Sequence, residues 1–135
     1  MIKEILDSIV SRLNAADVEN VYSAFDALPA DKKGDIFTIV GIGAFETCAP
    51  VYSHYSIYLP FRTEIDLNLT ARRDTSMEAL FNVYCESVEP VLMSMTDMKC
   101  SLKKMSIRFD SNIQRLVLNV KLSASGMSRI ERSIE

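Results

Sequence analysis

Glu64 and Asp66 stand two residues apart in a stretch that alternates apolar and polar side chains. Both carboxylates therefore share one face of a strand, as an acid/base or metal-binding pair would. Arg62 and Asn68 flank them there, which is also the pattern of an ordinary solvated strand, and that reading is preferred. His54 is the single histidine; no Ser, Cys or carboxylate pattern around it makes a triad or a zinc ligand set, so a loop position is expected. Arg72 and Arg73 precede a helix start, where anions bind, but Asp74 and Glu78 already bring negative charge to that end. Cys48, Cys85 and Cys100 are widely spaced without a C-x-x-C, which points to free thiols in a reducing compartment rather than a zinc site or disulfide framework. Cys85 falls on the apolar side of a helical pattern and reads as buried. Gly41 and Gly43 do not form a dinucleotide fingerprint, because Glu46 occupies the place of its third glycine. No catalytic, cofactor-binding or metal-ligating residue is assigned, and the chain reads as a non-enzyme.

Charge is more informative. Residues 1–98 carry seven Lys/Arg against fifteen Asp/Glu, while residues 99–135 carry eight against three. Either the basic part folds back to neutralise its own domain, or an acidic face of one copy meets a basic face of the next in a head-to-tail assembly. Lys99, Lys103, Lys104 and Arg108 are the best candidates for a nucleic-acid contact. They lack interleaved exposed aromatics, since Phe109 falls in the apolar set, and the whole chain is acidic, so nucleic acid is not the favoured partner. Met93, Met95, Met98 and Met105 read as core filling, with an adaptable contact surface as the alternative.

These residues are positioned by elements with clear periodicities. Ile2, Ile5, Leu6, Ile9, Val10 and Leu13 mark an amphipathic helix ended by Asn14–Asp17. Asn20–Phe25 reads as a short strand, Leu28–Asp35 as a loop, and Ile36–Phe45 as an interior strand whose glycines signal a bend, bulge or close approach. Glu46–His54 is a connection. From Tyr55 to Ala71 apolar and polar residues alternate; fully extended, this stretch would span about 55 Å, too long for a compact domain of this size. Pro60 lies within it and cannot donate to a ladder. A bend or bulge at Pro60, or a strand projecting beyond the body, is expected. Tyr55, Ile57, Tyr58, Leu59 and Arg62 then become candidates for contact with a neighbouring chain, together with the basic set. Thr75 and Glu78 form a capping box for a helix that Pro90 kinks or ends. Leu102–Phe109 and Arg115–Ala124 read as strands around an Asp110-Ser111-Asn112 turn, and residues 125–135 as a polar tail or short helix.

The order α-β-β-β-α-β-β predicts one α+β domain over residues 1–135, an antiparallel sheet with helices packed on one face. The apolar runs are too short for a membrane span, and the acids in Met1–Asp7 argue against a signal peptide.

The arrangement of the N-terminal helix, Leu28-Pro29, Ile36–Gly43, Thr63–Arg72, Ser76–Tyr84 and Arg115–Leu122 resembles that of tail terminators. These are small ring-forming proteins that cap the tail tube of phages and, as collars, of phage-tail-like bacteriocins. The resemblance implies a hexameric ring on the last tube ring, stopping growth of tube and sheath. Its partners would be other copies of itself, the tail tube protein and the sheath protein. It would sit in the bacterial cytoplasm during assembly and then in the virion or phage-tail-like particle. The alternative reading is a small α+β binding module for single-stranded nucleic acid, using the basic C-terminal strands.

Overall fold

The computed structural model describes residues 2–18, 20–24 and 35–131. The expected loop at 28–34, Phe25 and residues 132–135 lie outside them. The fold is α+β, in the order α1 (Ile2–Ala15), β1 (Val21–Ser23), β2 (Ile36–Thr47), β3 (Val51–Tyr52), β4 (Ser56–Arg72), α2 (Met77–Val83), a π-helical turn (Tyr84–Val88), α3 (Glu89–Met93), β5 (Met98–Asp110) and β6 (Arg115–Glu131). The main sheet runs β1-β2-β4-β6-β5, and β3 pairs with β4. Every pairing is antiparallel except β1 with β2, which is parallel.

The apolar stripe of α1 buries Ile5, Leu6, Ile9 and Leu13. The helix closes with Asp17 at a positive φ of 62° and Val18 N–H bonded back to Leu13 O at 3.0 Å, which satisfies carbonyls the last turn would leave open. α1 packs on β1 and β2, whereas α2 packs on β4 and β6. Phe61, Ile65, Leu67, Leu69 and Ala71 of β4 meet Leu118, Val120 and Leu122 of β6 and Leu80, Tyr84 and Leu92 of the helices in one core. Among the described residues the opposite sheet face carries no helix. At one end of that face Phe37, Thr70, Val117 and Arg115 are nevertheless buried, with the Arg115 guanidinium 5.0 Å from the Phe37 ring centroid.

Several expectations need correction. Residues 125–131 are strand, not tail or helix: β6 pairs with β4 without a register shift from Arg72↔Arg115 to Ser56↔Glu131. Their small Ser and Gly side chains mask the alternation, while the long partner strand supplies the ladder. Pro60 causes no bulge in that ladder. Its nitrogen and carbonyl point to the side where β2 has just ended, and the carbonyl accepts Cys48 N–H at 2.9 Å, so no β6 bond is lost. The cap of α2 is Ser76, whose hydroxyl accepts Ala79 N–H at 3.2 Å, so Ser76 and not Thr75 caps the helix, and Ala79 has no side chain to complete a box. Cys85 is exposed, because the wide π-turn before Pro90 directs Tyr84 and Val88 inward instead. That turn also relieves the missing Pro90 N–H and its clash with the preceding carbonyl.

Gly43 is skipped in the register between Ile42↔Ile65 and Ala44↔Glu64; it is the bulge foreseen from the glycines of β2.

Candidate assembly surface

The core stops at Phe61, but β4 and β6 do not. Ser56–Pro60 continue paired with Met127–Glu131, and β3 adds a third strand through Val51↔Tyr58 and Tyr52↔Ile57. This three-stranded arm is the projecting strand anticipated from chain length. Its turn is closed by Ser53 N–H to Ser56 O at 2.8 Å and Ser56 N–H to Ser53 Oγ at 3.1 Å. Arg129 Nε donates to the Ser56 hydroxyl at 2.9 Å, tying the third strand to that turn.

Apolar side chains crowd the arm without burying one another. Val51, Tyr52, Tyr55 and Met127 are 51%, 66%, 62% and 54% exposed, and Ile57, Tyr58 and Leu59 are half-buried. His54 lies at the tip, its ring edge-on to Tyr55 at 4.4 Å between centroids. Sequence reasoning placed Tyr55, Ile57, Tyr58 and Leu59 in the projecting stretch but not Val51, Tyr52 and Met127. The first two were assigned to a connection, and Met127 to a tail. Val51-Tyr52, two β-formers after Pro50, were the available signal.

At the base of the arm lies an open groove of about 800 Å³ lined by Cys48, Phe61, Arg62, Met93, Met95, Met98, Lys99, Cys100 and Met127. Three of the four methionines read as core filling therefore line a surface groove, although Met98 is itself buried. Arg62 and Lys99 are exposed at its side. Burial, and then the neighbouring Asp97 charge, push the Cys100 thiol above its ordinary value, a direction that disfavours the thiolate.

The basic set occupies β5, the edge strand of the sheet. Alternation alone would send Lys99 and Lys103 to one face and Lys104 and Arg108 to the other. A bulge between Leu102 and Lys104 resets the period, so Lys104 and Arg108 oppose Lys121 and Val117 on the helix-free face. Lys103 reaches Glu64 on that face at 3.4 Å, and all four basic residues are exposed. The expected burial of Phe109 is wrong: it is 46% exposed, as Leu102 is 48% exposed, because the helix layer barely reaches the edge strand.

The carboxylate pair belongs to this surface as cross-strand structure. Glu64 lies between Lys103 and Lys121 Nζ, at 3.4 and 3.7 Å. Asp66 accepts from Asn119 Nδ2 at 2.6 Å, and the same amide donates to Asn68 Oδ1 at 2.9 Å. Arg72 pairs with Asp35 at 2.8 Å. Asp110 closes the β5–β6 turn by accepting Asn112 N–H and the Arg108 guanidinium, which together hold its carboxyl below the usual range.

No family model matches the chain, and no curated protein matches it. Among solved structures, it is similar to a chain in the virion of a native gene transfer agent particle, with 13% identity and a TM-score of 0.50 over 89% of this chain and 92% of that one. The type 4 fimbrial biogenesis protein PilO from Pseudomonas aeruginosa aligns at 8% identity and a TM-score of 0.31, over 94% of this chain and 69% of that one, too distant to bear on the fold. What the gene transfer agent chain and this one share is a fold, spanning nearly the full length of both.

Proposed function

We propose that this chain is a structural subunit of a phage or phage-tail-like particle, which assembles into a hexameric ring, caps the tail tube and ends growth of tube and sheath. The arm carries this reading. A paired extension beyond the core, tipped with exposed Val51, Tyr52 and Tyr55, leaves apolar area open to a neighbour. A contact between such an arm and a different patch on the next copy is heterologous, the kind that closes into rings. The fold shared with a virion component supports a place in such a particle. The role asks for no catalysis, and none is proposed. Other copies, the tube protein and the sheath protein are its partners, first in the bacterial cytoplasm and then in the finished particle.

Polymerising the particle's own tail-tube protein with and without the chain tests the reading. Tubes should become shorter as the chain is added and should carry a ring at one end only. Unchanged tube length with no end-bound density would overturn it.

The cations gathered on the open face of β5 favour one second reading, a binding module for single-stranded nucleic acid. Against it, Phe109 points to the other side of β5, so it does not stack among the cations, and Glu64 and Asp66 share the face. Salt-dependent oligonucleotide binding would favour this reading; no binding at low salt would remove it.

A further inference from the structure

The charge of the chain is sorted by element. From Asp74 to Met98 there is no Lys or Arg, and Asp74, Glu78, Glu86, Glu89 and Asp97 are all acidic. From Lys99 to Arg108 there are four basic residues and no acid. Folding puts these sets on different sides of the molecule. The acidic run forms α2, the π-turn and α3 in the helix layer, with Glu78 and Glu86 exposed and without an ion-pair partner among the described residues. The basic run faces away from the helices on the open side of the sheet edge.

Self-neutralisation is incomplete there. Lys103 and Lys121 share one carboxylate, Glu64. Lys104 has no acidic partner among the described residues and stands directly opposite Lys121 in the β5–β6 register. Like charges directly opposite across a ladder destabilise it. The β5 bulge creates this cluster by bringing Lys103 and Lys104 to the same face. A surface that concentrates cations at a cost, in a chain with unpaired carboxylates on its far side, is built for an anionic partner.

We propose that the partner is a second copy of this chain: the acidic helix segment carrying Glu78 and Glu86 docks on the cation cluster of Lys99, Lys103, Lys104 and Lys121. The proposal rests on the ring reading and names the surfaces that close the ring. The two patches differ, so each copy offers one and receives the other, as a head-to-tail ring requires. Exposed charges of this kind set orientation and partner choice and speed encounter; the apolar arm supplies burial.

The test uses three full-length variants, Lys99→Glu/Lys104→Glu, Glu78→Lys/Glu86→Lys and the fourfold combination, with mass measured by light scattering across concentration. All substitutions are at exposed positions, and thermal melts check folding. Each double variant should need at least about tenfold more protein to assemble than wild type. A one-to-one mixture of the two doubles should assemble again, as alternating copies, and the fourfold variant should assemble alone. Wild type that assembles while both doubles assemble equally well would overturn this pairing and leave the ring reading standing. Wild type that never assembles would contradict the ring reading itself. Loss of labelled oligonucleotide binding in Lys99→Glu/Lys104→Glu, with assembly intact, would assign the cations to nucleic acid and overturn the pairing.

Discussion

Tyr84 shows how much a single residue can escape the sequence. Its place in the helical apolar pattern identified it as core, and it is fully buried. That its hydroxyl meets no hydrogen-bond partner there depends on the π-turn, a three-dimensional detail. Burial, then the charge of nearby Glu89, push the phenol up to about 12. The unfolded chain ionises first, so the contribution of Tyr84 to stability should be flat below pH 10 and fall between about pH 10 and 12. Tyr84→Phe should remove this alkaline loss in urea melts. At neutral pH it should change stability by no more than about 1 kcal/mol, since the hydroxyl deleted is buried with at most a weak bond to Glu89. Gly126 was equally opaque, lying in what read as a tail. A Cβ there would sit 2.7 Å from Phe61 Cζ and 3.0 Å from Asp97 O, so Gly126→Ala should cost about 1–3 kcal/mol through overpacking. At Gly43 the nearest obstacle is the flexible end of Glu64 at 3.1 Å, and Gly43→Ala should cost clearly less. Comparing the two midpoints on one denaturant axis checks both.

At the scale of elements, legibility followed length and periodicity. α1 and the core half of β4 were plain, because their buried faces repeat over many residues. Two kinds of feature were not. Bulges, such as the one at Lys103, shift which residues share a face without leaving a residue-type signal, so the basic set could be listed but not placed on one surface. Strands made of small residues, such as the end of β6, acquire their structure from a partner strand. The arm joins both lessons, since the excess length of β4 predicted it while its other two strands were hidden. Asp at Ile57 or Leu59 should weaken self-assembly far more than folding, because both lie past the last core residue, Phe61. Thermal melts and assembly mass, measured on the same samples, separate the effects; equal loss of both would make this part of β4 ordinary core.

For the whole molecule, the −3 net charge conceals a helix layer and a sheet edge of opposite sign. The charge halves of the sequence announced an imbalance, and only the fold shows that much of it is left unneutralised among the described residues. Assembly should therefore weaken as salt rises past the range in which exposed charges are screened, about 0.15 M and above, while the arm's apolar contacts keep it from vanishing. The proposed function requires this chain to close on itself as a ring. Light scattering of the wild-type protein at low salt over increasing concentration, with negative-stain imaging of the same samples, tests it most directly. A ring should give a plateau at six times the 15.2 kDa chain mass and six-fold rings in the images; a mass fixed at that of one chain at every concentration would rule the ring out.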